Sequence, residues 1–497
     1  METITCLFLL IVVSLGFEIN NNVSQKRFPD GFIFGTASSS YQTEGAWNLD
    51  GKGENIWDRF THDHPEKIAD GSNGDIAADS YHKLDEDIRL LKNLGVDFYR
   101  FSLSWARILP NGFPNKINQA GIDYYNELID KLLENNIMPM ITMYHWELPQ
   151  KLHLLGGFTN PLIADWFEAY AKIVFQHFGD RVKFWSTFNE PRIMCSFGYG
   201  LGTFAPGIES SGVGDYLCAH NLLKAHARVY HMYKKQFKYQ KGKIGIVIDC
   251  HWSEPATQSD SDIKAAERMT QFSCGWITNP IFTKKGDYPK VMKDFVKARS
   301  LAEGYNTSRL PEFTKDEIKY IRKSSDYLGL NHYMTFMVAD KPADPIGDPS
   351  QEKDIQVATW QDPSWPPGTV YPFRSTPWGF RKVLKWLKDN CGDVDIYVTE
   401  NGFPDAFSFE DKGRISYLLG YLSNLLESIY IDKVKVKAYT AWSFMDYFEW
   451  YSGYTVGFGL HYVNYTDPNR TRIPRASARI YTDIIKNRKL PSSLTYL

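Results

Sequence analysis

The sequence is short of several things. Cysteine is scarce: six in 497 residues, with no two at a Cys-x-x-Cys spacing. That excludes zinc-ribbon and thiol-redox motifs. Charge of one sign is scarce too. The chain carries 56 Lys and Arg against 58 Asp and Glu, a net charge of −2. No basic stripe of the kind nucleic-acid binding requires is present, and no nucleic-acid partner is expected. Long apolar runs are missing. The clearest spans Cys6 to Leu15 (CLFLLIVVSL), well short of the roughly 20 residues a bilayer-spanning helix needs. No membrane partner is expected. There is no low-complexity linker and no short repeat. There is also no phosphate-cradling glycine loop, no nucleophile elbow and no dense set of metal ligands. His62-Asp-His64 is the one close histidine pair, and its polar surroundings indicate a surface loop. No metal and no cofactor are expected.

The short apolar run has its own meaning. It fits the hydrophobic region of a secretory signal peptide over residues 1–20, although Glu2 stands where a basic residue is usual. The mature chain is then 21–497 and secreted. Four sequons agree with that compartment, at Asn22, Asn306, Asn464 and Asn469. Beyond the leader the cysteines are Cys195, Cys218, Cys250, Cys274 and Cys391. An odd number leaves a free thiol or an intermolecular pair.

Aromatic residues are plentiful: 31 Phe, 30 Tyr and 14 Trp, or 15% of the chain. Many lie in short β-rich runs that alternate with helical stretches. Candidate strands begin near 32 (FIFGTA), 96 (VDFYRFSLSW), 138 (MPMITMYHW), 182 (VKFWSTFNE), 243 (KIGIVID), 326 (DYLGLNHY), 394 (VDIYVTENG) and 436 (VKAYTAWSF). Several are nearly continuous apolar runs, as strands covered on both faces require. Residues 85–94, 121–134 and 161–178 show amphipathic helical periodicity. Eight βα units predict an α/β fold, a single (β/α)8 TIM barrel with elaborated loops on its C-terminal face. Residues 338–376, rich in Pro, Asp and Trp, are expected to be one such loop.

The strand ends are unusually polar. Strand two carries Arg100, strand three ends at His145-Trp146, and strand four ends at Asn189-Glu190. Strand six ends at Asn331-His-Tyr333, strand seven at Glu400-Asn401, and strand eight runs into Trp442 and then Glu449-Trp450. In a barrel these ends converge on the face that carries the active site. One polar residue at a strand end is commonly a loop charge or a helix cap; the whole set converging is not. Two glutamates in an aromatic-walled pocket suit glycoside hydrolysis. Sugar rings offer C–H faces for stacking, and a pair of carboxyl groups can protonate the leaving oxygen and stabilise an oxocarbenium-like transition state.

These residues resemble glycoside hydrolase family 1, the β-glucosidase family, over about residues 28–485. Phe32-Ile-Phe-Gly-Thr-Ala-Ser-Ser-Ser-Tyr-Gln42-Thr-Glu44-Gly45 matches its N-terminal signature. Thr187-Phe-Asn189-Glu190-Pro191 is similar to its acid/base motif, and Val398-Thr-Glu400-Asn-Gly402 to its nucleophile motif. Asn331-His-Tyr333 and Pro377-Trp-Gly-Phe-Arg381 resemble the arthropod branch, which includes insect myrosinases. The resemblance implies roles. Glu400 would be the nucleophile, and Glu190 the general acid and then the base. Arg100 and Tyr333 would hold Glu400 ionised, and Asn331 would support that shell. Gln42, His145, Asn189, Glu449 and Trp450 would bind sugar hydroxyls above Trp442. The implied reaction is a retaining double displacement on a small-molecule glycoside, with carboxyl groups about 5–5.5 Å apart.

Three departures stand out. Tyr447 replaces the family's usual Asn, Pro404 follows the nucleophile loop, and the stretch after the acid/base is apolar. Family members often carry charges near Ile193, Phe197 and Phe204, on the leaving-group side. Here those residues, with Arg192, predict a preference for apolar or aromatic aglycones. Two other functions share the pattern. A thioglucosidase (myrosinase) would use Arg192 to meet a sulfate. A sugar-binding relative without activity would normally have lost one of the two glutamates.

Overall fold

The computed structural model describes residue 23 and residues 26–491. The predicted leader and the Asn22 sequon lie outside these residues. Eight parallel strands close into a barrel: Ile33–Ala37, Phe98–Ser102, Met138–Tyr144, Phe184–Asn189, Lys243–Asp249, Tyr327–Asn331, Ile396–Asn401 and Val436–Ala441. All eight correspond to the strands expected from the sequence. The eighth pairs with the first, Ala438 opposite Ile33 and Ala441 opposite Thr36, which leaves the barrel without an edge.

The interior is filled by side chains of the expected kind. Phe98, Met140, Tyr327, Tyr397 and Ala438 form one buried cluster inside the barrel. Its large rings need gaps opposite them. A Cβ on Gly35 would lie 2.4 Å from the Phe98 ring, and one on Gly245 would lie 2.4 Å from the Tyr327 ring. Large and small residues therefore alternate as the taper of a closed barrel demands. The outer strand faces pack against helices including Leu84–Leu94, Gln119–Glu134, Ile163–Phe178 and Gly214–Met232. The first of these stops at Gly95, whose φ of 71° is the left-handed conformation that glycine adopts without a Cβ clash.

Two expectations are corrected. Residues 338–376 are not simply a loop. They contain the second half of a strand, Thr335–Asp340, then a short helix, Gln351–Ile355, and a second strand, Val357–Trp360. With Trp252–Pro255 these strands make a three-stranded sheet beside the barrel. The prolines and aspartates marked the connections and masked two short strands: Thr335–Asp340 pairs with Trp252–Pro255, about 80 residues earlier, and Val357–Trp360 pairs antiparallel with Thr335–Asp340. His62 is the second correction. It sits in the helix Ile56–Asp63, where its Nε2 lies 2.8 Å from Asp75 Oδ1.

The cysteines divide as the odd count required. Cys195–Cys218 and Cys250–Cys274 are disulfides, and Cys391 is a buried free thiol. Each bridge anchors a segment leaving the C-terminal face of the barrel, one after strand four and one after strand five.

Candidate active site

The C-terminal ends of the strands surround a cavity of about 340 Å³. Glu190, Glu400, Asn331, Tyr333, His145, Trp442, Glu449 and Trp450 line it, together with Arg192, Ile193, Phe197 and Phe204. The three sequence-expected members outside its lining are Gln42, Arg100 and Asn189, all buried. The Gln42 amide is held at both ends: Oε1 accepts from Ser39 Oγ (2.6 Å), and Nε2 donates to the Phe448 carbonyl (3.1 Å). Asn189 Oδ1 accepts from Arg100 Nη2 (2.7 Å) and from Asn331 Nδ2 (3.1 Å). Its Nδ2 faces His145 Nε2 at 3.1 Å.

Glu400, 3% exposed, is gripped from both sides. Arg100 Nη1 donates to Oε1 at 2.6 Å, and the Tyr333 hydroxyl donates to Oε2 at 2.7 Å. Barrel register brings these groups together, because Glu400 and Asn331 are Cα partners on adjacent strands. Glu190, 7% exposed, accepts from Asn331 Nδ2 at 2.8 Å. Asn331 in turn accepts from Thr399 Oγ1 (2.7 Å), which fixes its amide orientation. The backbone is strained where it matters. Glu190 (φ 46°), Trp146 (φ 77°) and Trp450 (φ 49°) occupy left-handed conformations on the cavity wall. Such conformations cost roughly 1–3 kcal/mol each and persist where the surroundings over-determine them.

The electrostatics separate the two carboxyl groups. Burial first, then the Glu400 charge and Asp249, push the pKa of Glu190 well above the usual carboxylate range. Burial also raises Glu400, but Arg100 and the Tyr333 hydrogen bond pull it back. Of the pair, Glu190 is therefore the one that holds the proton. Burial and the nearby Arg100 drive the His145 pKa well down, so its ring is neutral. Glu449 is raised to about 7, mainly by burial, with Tyr447 opposing that rise and Glu400 adding to it.

Arg192 does not stand free. Its Nε donates to Asp249 Oδ2 at 2.6 Å, and Nη2 reaches the same oxygen. Asp249, the last residue of strand five, lines the cavity and was not among the expected site residues. A polar residue ending an apolar strand was its signal, the same one that marked Glu190. Around the Arg192–Asp249 pair the lining is mostly apolar, with Ile193, Phe197, Phe204, Met269, Met334 and Phe336, and His251 near Arg192. Phe204 packs between Trp57, Trp146 and Phe197, with ring centroids 5.2–5.6 Å apart.

The sequence matches the profile of Glycosyl hydrolase family 1 over residues 24–490. The chain belongs to this family. Human lactase/phlorizin hydrolase is 47% identical over 470 residues, 93% of this chain. The chain spans only 24% of the length of that relative. Human cytosolic beta-glucosidase is 43% identical over 471 residues, which cover 94% of this chain and 100% of the relative. Among solved structures, aphid myrosinase superposes with a TM-score of 0.88 at 46% identity, covering 93% of this chain and 99% of that one. Family 1 members are glycoside hydrolases, and a glycoside is the substrate class the cavity serves.

Proposed function

We propose that the protein is a retaining, exo-acting β-glucosidase that releases apolar or aromatic aglycones. One observation carries the reading. Glu400 is held by a cation and a phenol while Glu190, on the same cavity, is held by an amide and pushed toward its protonated form. In the first step a Glu400 oxygen attacks the anomeric carbon as the bond to the aglycone oxygen breaks. Glu190 gives its proton to that oxygen. The ester removes the Glu400 charge and with it part of what keeps Glu190 protonated. Glu190 then takes a proton from water, the water oxygen attacks the anomeric carbon, and the bond to Glu400 breaks. His145, Glu449, Trp450 and Trp442 would bind the sugar, with Asn189 reaching its 2-hydroxyl. Gln42, held at both ends, would offer a sugar hydroxyl its second Nε2 hydrogen and its second Oε1 lone pair.

The aglycone preference rests on the apolar wall. Hydrolysis of aryl and alkyl glucosides should exceed that of cellobiose, and a clear cellobiose preference would refute it. The likeness to aphid myrosinase supports a second reading, hydrolysis of glucosinolates. The Arg192–Asp249 pair weighs against it, because the one Arg or Lys among the described lining residues is already neutralised. Assay of a glucosinolate beside an O-glucoside decides between them. A sugar-binding role without turnover is disfavoured by the intact Glu190, Glu400, Arg100 and Tyr333 set.

A further inference from the structure

Tyr447 lies beneath the cavity floor, 2% exposed. Its ring stacks near Phe458 (6.2 Å, 22°) and meets Trp442 edge to face (5.3 Å, 67°). Trp442 Nε1 donates to the Tyr447 hydroxyl at 2.5 Å. An indole nitrogen is a donor only. The phenol oxygen therefore accepts, and its own proton is left for another group. The Glu449 carboxyl, two residues on, is the acceptor it acts on: the Tyr447 phenol holds the Glu449 pKa down against burial. The segment between them is clamped. Phe448 N–H donates to the Gln42 carbonyl at 3.1 Å, and Gln42 Nε2 donates to the Phe448 carbonyl at 3.1 Å. A chain of donors thus runs from the Trp442 floor through Tyr447 to Glu449, each bond polarising the next.

We propose that Tyr447 is a positioning residue for the sugar: its hydroxyl ties the Trp442 floor to the Glu449 carboxylate and presents that carboxylate to the glycone hydroxyls. This rests on the β-glucosidase reading of the cavity. A carboxylate steadied by a phenol stays a charged acceptor, and charged acceptors make the stronger hydrogen bonds to hydroxyls. The contact is made to the resting sugar as much as to the transition state, so it acts on KM rather than kcat.

The test is Tyr447→Phe, assayed with an aryl β-glucoside across pH. KM should rise about tenfold with kcat within about twofold, the pattern for loss of uniform binding. The titratable groups acting on Glu449 are Tyr447, Glu400 and Tyr451. In the parent, KM should rise as pH falls through about 7, where Glu449 takes up a proton. Without the Tyr447 donor that rise should begin at higher pH. A KM raised less than about threefold, a loss confined to kcat, or an unmoved pH limb would overturn the proposal. If the Phe variant does not fold, Tyr447→His retains one donor and one acceptor on a ring. A KM within about threefold of the parent then supports the proposal, and a larger rise overturns it. Failure of the β-glucosidase reading is seen separately, as a parent that turns over no aryl glucoside. Glucose titration followed by tryptophan fluorescence, comparing parent and Tyr447→Phe, still tests Tyr447 in that case.

Discussion

At the residue scale the site is a contest between burial and neighbours. Both Glu190 and Glu400 are buried, and burial alone would neutralise each. The difference lies in who stands beside them. Replacing Glu400 by Gln keeps the shape and removes the nucleophile. Turnover of aryl glucosides should fall by several orders of magnitude, and unchanged turnover would refute the mechanism. Glu190→Ala should divide substrates by leaving group. Glucosides of poor leaving groups should lose about 10²–10⁴ in rate, the range for general acid catalysis. Activated aryl glucosides should lose much less in the first step, which burst kinetics resolves. The alkaline limb of kcat/KM should report the loss of the Glu190 proton. Asp249 helps hold that proton, and Arg192 opposes it. Asp249→Asn removes the first influence and frees the second, so the alkaline limb should move to lower pH. A pH–rate profile that stays fixed would exclude Asp249 from this role.

At the scale of elements, strand ends aim the chemistry and the turns after them hold it still. Gly402, just past Glu400, shows how tightly. A Cβ there would lie 1.9 Å from the Trp442 carbonyl oxygen, a backbone atom that cannot swing aside. Gly402→Ala should lower stability by about 1–3 kcal/mol, the usual cost of overpacking. Thermal unfolding measures this, and kcat should fall with it because Glu400 and Trp442 must both shift. A variant with parental unfolding temperature and activity would contradict the contact. Most of the strands were legible in the sequence because apolar runs of five to seven residues between turn residues have few other readings. The strands at Thr335–Asp340 and Val357–Trp360 were not legible. They are at most half-buried, and the sheet they share is anchored by Trp252–Pro255, which pairs with the first of them across about 80 residues, rather than by their own pattern.

At the scale of the whole molecule, the barrel carries the two carboxyl groups on its strand ends, and the segments outside it add lining such as Met269 and Phe336. Two disulfides bind the loops above it, and such bonds persist in oxidising compartments. That supports the proposed secretory route, as do the sequons. Asn306 and Asn469 are exposed, while Asn464 is partly buried with its side-chain oxygen accepting from Thr466. Protein from a secreting host should therefore carry glycan at Asn306, read as a mass shift on enzymatic deglycosylation. Absence of glycan there would count against secretion. Reducing both disulfides should lower stability by about 2–4 kcal/mol per bridge, measured by denaturant unfolding.

The sequence by itself determined the barrel, the order of its strands and the residue types at their ends. Those follow from local periodicity and from the rule that strand ends meet on one face. Glu190, Glu400, Arg100 and Tyr333 could be named on that basis. Only the tertiary structure decided how those groups are paired. It joined Arg192 to Asp249, 57 residues away, and so withdrew a cation that the sequence leaves free. It engaged both ends of the Gln42 amide, chose the disulfide partners and turned Trp442 toward Tyr447. The physical reason is common to all of these. Hydrogen bonds and ion pairs act over about 3 Å in space and are indifferent to separation along the chain.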